Sequence, residues 1–104
     1  MSKELTQIKE DIATRNEDQI QEPRGYRVLL HNDNYTTMEF VVQVLELVFH
    51  KTPPEATQIM LSVHKKGVGV CGVYTAEVAE TRVAMVCHMA RQHGFPLKCS
   101  MEEE

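Results

Sequence analysis

Three short apolar runs along the chain predict β-strands. The run Tyr26–His31 is rich in β-favouring residues and is followed by a polar cluster, which is typical of a buried strand that leads into a loop. Residues 69–74 predict a second strand, and residues 97–101 are short enough to form an edge strand. The loop after the first strand covers residues 32–36.

Apolar residues at a spacing of three or four predict three helices, each preceded by a capping signal. Thr36 stands three residues before Glu39 in a capping-box arrangement, which predicts that the first helix begins there. The apolar face that follows predicts that this helix runs to about His50. Pro53 suits the first position of the second helix, where its missing N–H costs nothing. The second and third helices are predicted between cap and stop residues, respectively Thr52 to Gly67 and Thr75 to Gly94.

The element order β-α-α-β-α-β predicts an α+β fold. We expect a two-layer domain over residues 25–104, in which a three-stranded antiparallel sheet is covered on one face by three helices. Residues 1–24 are polar and carry both charges, so they are expected to form a flexible N-terminal extension. A transient helix that docks onto a partner is an open alternative, because three apolar residues of the extension fall at helical spacing: Leu5, Ile8 and Ile12.

The composition favours one domain with a modest core. The chain has 104 residues, of which 42% are hydrophobic and 25% charged, and at this size a surface cleft is expected rather than a deep cavity. Residues 25–101 carry seven positive and six negative side chains, a near-neutral balance that disfavours nucleic-acid binding. No apolar run approaches the ~20 residues that span a bilayer, and the N-terminal residues do not form a signal peptide. We therefore expect a cytoplasmic protein with no membrane partner.

The three cysteines, Cys71, Cys87 and Cys99, form an odd set without a CxxC spacing, and we expect them to be reduced core residues. Cys71 with His64 and Asp33 would make a nucleophilic set. Cys71, however, lies in the middle of a predicted strand, where a small buried side chain is usual, and no local catalytic signature accompanies it. The sequence therefore predicts a binding protein rather than an enzyme.

Two groups of residues have the side chains of a metal site but not its spacing. Cys87, His88 and His93 are separated by one and five residues, so they point in different directions on one helix. Metal ligands on one helix need a separation of three or four. Residues 32–34 resemble the start of a calcium loop, but no glycine follows at the sixth position and no glutamate at the twelfth. We expect neither a metal nor a cofactor.

The polar loop and His64, which directly follows the apolar stripe of the second helix, leave two interpretations open. In the first, the Asn and Asp side chains cap the first helix, and His64 is a partly buried histidine with its hydrogen bonds satisfied. In the second, these residues are the hydrogen-bond acceptors of a binding site. Spacing alone favours the first interpretation.

Three segments give the chain a family resemblance: residues 32–41 (NDNYTTMEFV), 56–64 (ATQIMLSVH) and 72–81 (GVYTAEVAET). They closely resemble ClpS, the bacterial adaptor family that delivers N-degron substrates to the ClpAP protease. The similarity runs from about Tyr26 to Met101, which is essentially the whole predicted domain. It favours the second interpretation of the polar loop.

The resemblance implies a site for the free amino terminus of proteins that begin with Leu, Phe, Tyr or Trp. It assigns the α-amino group to Asn32, Asp33, Asn34 and His64. It assigns the first side chain to a hydrophobic pocket made of Leu30, Thr36, Met38, Val41, Met60, Val63 and Leu97. Docking to the N-terminal domain of a ClpA-type AAA+ unfoldase is implied at Glu77 and Arg82, and the N-terminal extension would engage the unfoldase. The alternative from another class is an ATPase-binding regulator with no substrate pocket.

Two positions depart from many members of that family. Asn34 stands where a second acidic residue is common, and Thr37 stands where a proline is common. The amide of Asn34 still accepts hydrogen bonds, but the site loses one unit of negative charge. Because charge-assisted hydrogen bonds are about twice as strong as neutral ones, we expect weaker affinity with unaltered specificity.

Overall fold

The computed structural model describes residues 24–104. In chain order its elements are β1 (Tyr26–His31), α1 (Met38–Leu47), α2 (Pro53–Lys66), β2 (Val68–Tyr74), α3 (Ala76–His93) and β3 (Lys98–Glu103). The predicted element order and the α+β class are confirmed. The helix considered around Leu5, Ile8 and Ile12 lies outside the described residues.

β1 is the central strand of an antiparallel sheet with the order β2-β1-β3. Its pairing places Leu30 opposite Gly69 on one side and opposite Cys99 on the other. Val28 and Leu30 are fully buried, whereas the residues that alternate with them along β1 are only partly buried. This alternation shows that one face of the sheet packs on the core. The prediction of β3 as an edge strand is confirmed.

Helix α1 begins one residue later than predicted. The side chain of Thr37, not that of Thr36, accepts a hydrogen bond from the backbone N–H of Phe40 at 3.1 Å, so the first helical residue is Met38. Thr36 does not cap the helix because its hydroxyl donates to the carboxylate of Asp33 at 2.7 Å. The predicted N-cap is therefore wrong by one position, and no capping box forms, because the third residue of the helix is Phe40.

The other helix ends follow from capping chemistry, with one further correction. α1 ends at Leu47, before the predicted end at His50, whose φ of +53° cannot continue a right-handed helix. α2 and α3 have the predicted N-terminal threonines and C-terminal glycines, and both glycines adopt the left-handed conformation. These residues are Thr52 and Gly67 for α2, and Thr75 and Gly94 for α3.

The core lies between the sheet and the three helices. Its fully buried side chains come from both layers, and each Leu or Val contributes roughly 1.5 to 3 kcal/mol through burial. The largest of them are Leu30, Leu45, Val28, Val44, Val48, Val86 and Cys71. Phe40 of α1 stacks at the edge of this core against Phe95, with 4.8 Å between the ring centroids. This contact ties α1 to the segment between α3 and β3.

A buried glycine allows β2 to approach α2 closely. A Cβ atom at Gly69 would lie 2.7 Å from Cγ2 of Val63 and 3.0 Å from the carbonyl oxygen of Ile59. Any larger residue would push α2 away from the sheet. The glycine therefore sets the position of Val63, and with it the position of its neighbour His64, relative to the strands.

Candidate functional site

The antiparallel pairing of β1 and β2 brings two distant segments together. His31, the last residue of β1, pairs with Val68, the first residue of β2. The loop that follows β1 therefore lies beside the C-terminal end of α2, which immediately precedes β2. A backbone hydrogen bond from the N–H of Asn32 to the carbonyl of Gly67, at 2.9 Å, joins the two segments directly.

Asp33 holds the loop in shape. Its Oδ1 accepts hydrogen bonds from the backbone N–H groups of Tyr35 and Thr36, at 2.8 and 2.7 Å, and its Oδ2 accepts from the hydroxyl of Thr36. Partial burial opposes ionisation, but the bonds from Thr36 and Tyr35 outweigh it and lower the pKa of Asp33 below its usual value. The carboxylate therefore stays charged at neutral pH and fixes a turn from residue 33 to residue 36.

The loop and α2 enclose a surface cleft of about 580 Å³. Its lining includes every residue predicted to bind an α-amino group: Asn32, Asp33, Asn34 and His64. Asn32, Asn34 and His64 are exposed, and α1 is capped by Thr37. The interpretation of this loop as a helix cap beside a partly buried histidine is therefore wrong.

Most of the predicted pocket residues line the same cleft. They are Thr36, Met38, Val41, Met60 and Val63. We refer to the apolar members of this set as the apolar wall. Met38 is 42% exposed at the start of α1, whereas Val41 and Val63 are buried. The wall thus combines an exposed methionine with buried valines.

Leu30 and Leu97 are placed differently from the other predicted pocket residues. Leu30 is fully buried and Leu97 is 5% exposed, and both belong to the core cluster that contains Val41 and Val63. Neither is among the residues that line the cleft. They support the apolar wall from behind.

Three residues that line the cleft were missed by sequence reasoning: Tyr35, Thr37 and Glu39. Tyr35 is 77% exposed and lies at the tip of the turn that Asp33 organises. The sequence signal for Tyr35 was an aromatic residue within a polar loop, since the loop offers no core in which such a side chain could be buried. Thr37 and Glu39 carry no comparable signal, since helix capping and first-turn charge explain both.

Glu77 and Arg82 lie on α3 and do not line the cleft. Glu77 is exposed in the first turn of the helix. Arg82 is half-buried, and its Nη1 donates to the backbone carbonyl of Val48 at 2.7 Å, just beyond the C-terminal end of α1. The cleft lies at the other end of α1, so roughly 10 Å of helix separates its last lining residue on α1, Val41, from Val48.

Cys71 and Cys99 do not have the properties of reactive thiols. Cys71 and Cys99 are buried and Cys87 is half-buried, and all three are free thiols. Burial raises the pKa of the Cys71 thiol well above its ordinary value and that of Cys99 to about 12, so both stay protonated at neutral pH.

Within residues 24–104, no three His, Cys, Asp or Glu side chains come together as a metal site. No helix in this part of the chain is long and apolar enough to cross a membrane.

Comparison with known proteins gives one consistent family. The family model for the ATP-dependent Clp protease adaptor protein ClpS matches residues 21–100. The adapter protein ClpS of Nitratidesulfovibrio vulgaris (strain DSM 19637 / Miyazaki F) is 68% identical over 87 residues, which are 84% of this chain and 87% of that protein. The ClpS of Oleidesulfovibrio alaskensis is 60% identical over 103 residues, 99% of each chain.

A solved structure agrees with this result. Agrobacterium tumefaciens ClpS2 bound to L-phenylalaninamide superimposes with a TM-score of 0.77 at 35% sequence identity, and the match covers 80% of this chain and all of that chain. The matching family and the similar curated proteins are named as adaptors. The chain therefore belongs to the ClpS family of ATP-dependent Clp protease adaptor proteins, and it is an adaptor rather than an enzyme.

Proposed function

We propose that the cleft binds the free amino terminus of proteins that begin with Leu, Phe, Tyr or Trp, and that the protein delivers them to a ClpAP-type protease. The observation that carries the proposal is one cleft that is lined both by exposed acceptors and by the apolar wall. The ligand named for the ClpS2 structure, L-phenylalaninamide, supports it. This compound combines a free α-amine, a large apolar side chain and an amide, which are the groups of an N-terminal phenylalanine.

Recognition of the amine follows from its hydrogen-bonding capacity. A protonated α-amine has three N–H donors, whereas an internal peptide bond has one. Asn32 and Asn34 offer amide oxygens, and a neutral His64 offers a ring-nitrogen lone pair. Asp33 contributes negative charge to the cleft, although its two oxygens already hold the loop. These acceptors together select a true chain end over mid-chain sequence.

The apolar wall would bind the first side chain. Met38, Met60 and the buried Val63 supply apolar surface, and burying one Leu or Phe side chain contributes roughly 1.5 to 3 kcal/mol. Leu30 and Leu97 act by holding this wall in place. Met38 stands at the rim, where it would crowd a β-branched residue whose bulk begins at Cβ.

Delivery requires a second surface for the unfoldase. Glu77 and Arg82 on α3 are the proposed contacts for the N-terminal domain of a ClpA-type AAA+ protein. Neither residue lines the cleft, so the proposed ATPase contacts do not overlap the proposed substrate site. In this proposal residues 25–104 form the adaptor domain, residues 1–24 form an extension that engages the unfoldase, and the protein works in the cytoplasm.

The function is tested with a panel of labelled peptides that differ only in the first residue and in acetylation of the amine. Fluorescence anisotropy should show binding of Leu-, Phe-, Tyr- and Trp-first peptides and loss of binding on acetylation, because acetylation removes the charge and two donors. An ATPase-binding regulator without a substrate pocket would bind the ClpA N-terminal domain but treat the free and acetylated peptides alike. That result would overturn the proposal.

His64→Ala should weaken binding of a Leu-first peptide several-fold, because it removes the ring-nitrogen acceptor from the cleft. His64→Gln keeps an acceptor in its amide oxygen and should retain most of the affinity. Fluorescence anisotropy measures both variants against the unchanged protein. Equal losses in the two variants would show that His64 does not act as an acceptor for the amine.

Met38→Ala should admit Ile- and Val-first peptides while still binding Leu-first peptides, because it removes the crowding at the rim. The same anisotropy panel measures the change. Leu47→Ala is the matched control, since Leu47 is 56% exposed on the same helix and outside the cleft. Unchanged exclusion of Ile and Val by the Met38 variant would show that another residue sets the limit.

Asn34→Asp should strengthen peptide binding by about twofold to fivefold at low salt, corresponding to about 0.5 to 1 kcal/mol for an exposed charge pair. The gain should shrink as salt is added, while the ranking of first residues stays the same. Gln43→Glu adds the same charge at an exposed position of α1 outside the cleft and serves as the control. A gain of the same size in both variants would indicate a general charge effect instead of a contact with the amine.

A further inference from the structure

A second depression lies next to the cleft, between α1 and α2. It has a volume of about 420 Å³ and is lined by Met38, Glu39, Val42 and Met60. We refer to it as the side groove. Three of its four lining residues, all except Val42, also line the cleft. The two depressions therefore adjoin each other at these shared residues.

The side groove combines apolar surface with one acidic group. Met38, Met60 and the half-buried Val42 present an apolar floor and walls. Glu39 is exposed in the first turn of α1, and among residues 24–104 its carboxylate forms no ion pair. A Lys or Arg side chain matches this combination, because its aliphatic stem packs on apolar surface while its charged end reaches a carboxylate in solvent.

The geometry of an extended peptide decides which residue reaches the side groove. Side chains of successive residues point to opposite faces, and those two residues apart share a face at a separation of roughly 6.8 Å. A chain that leaves the cleft across the shared residues Met38 and Met60 therefore places its third side chain over the side groove. The second side chain points away from it.

We propose that the side groove receives the side chain of the third residue of the bound chain and favours Lys or Arg there. This inference rests on the proposed function, since it takes the first residue to be in the cleft. It gives a role to two residues that bind neither the amine nor the first side chain in the proposed function. Val42 supports the stem of the third side chain, and Glu39 pairs with its charged end.

The test uses Leu-first peptides that carry Arg, Met, Ser or Glu at the third position with Ser at the second. Anisotropy should rank them Arg, Met, Ser and Glu from tightest to weakest, with about a threefold to tenfold span between Arg and Glu. The same four residues placed at the second position, with Ser at the third, should give a smaller span. A span as large or larger at the second position would overturn the inference.

Two variants test whether the preference at the third position arises in the side groove. Glu39→Gln should remove the advantage of Arg over Met, and Val42→Ala should weaken both Arg and Met peptides relative to Ser. Glu46→Gln removes the same charge from the same helix outside both depressions, so it should leave the Arg advantage intact. Equal losses in the two glutamine variants would overturn the role of Glu39.

Acetylated peptides separate this inference from the function on which it rests. If the four third-position peptides bind equally while acetylation abolishes binding, the side groove is not a subsite and amino-terminus recognition stands. If acetylated peptides bind as well as free ones, the proposed function fails and the inference fails with it.

Discussion

The backbone pairing of His31 with Val68 is the constraint on which the rest of the site depends. It forces the end of β1 and the end of α2 to lie side by side, although more than thirty residues separate them in the chain. The Asn32 to Gly67 hydrogen bond then joins loop to helix, and Gly69 lets that helix lie directly on the sheet. The acceptors on the loop and the histidine on the helix consequently face one cleft.

Helix α1 links two regions for which different roles are proposed. Its first turn contributes Met38 and Glu39 to the cleft, and the carbonyl of Val48 just after its last turn is held by Arg82. One short rigid element thus carries a proposed substrate surface at its start and adjoins a proposed ATPase surface at its end. This arrangement suits an adaptor, because neither partner has to displace the other.

Local chemistry made most of the fold predictable, and its exceptions are instructive. Threonine caps and glycine stops fixed both ends of α2 and α3, because these signals are short-range. The capping-box spacing to Glu39 favoured Thr36 as the cap of α1, however, whereas the hydroxyl of Thr36 is bonded to the carboxylate of Asp33 and Thr37 caps the helix. That contact depends on the loop's three-dimensional shape, so a spacing rule could not separate the two threonines.

The site was less predictable than the fold for a related reason. Apolar character alone does not distinguish a residue that lines a cleft, such as Met60, from one that supports it from behind, such as Leu30. Helical spacing likewise placed His64 after an apolar stripe without showing that it is exposed. Both distinctions depend on where α2 lies against the sheet, which is set by strand pairing distant in sequence.

The hydrogen bonds of Asp33 also have a thermodynamic consequence. Fixing the backbone of one residue costs about 1 to 2 kcal/mol in conformational entropy, and in this loop residues 33–36 are already fixed by the protein's own contacts. This entropy cost arises when the protein folds, not when a ligand binds. A ligand entering the cleft therefore meets a preorganised surface and has to order little besides its own first residues. For the proposed peptide ligand, the preorganised loop lowers the entropy cost of binding, in addition to the hydrogen bonds that its acceptors offer.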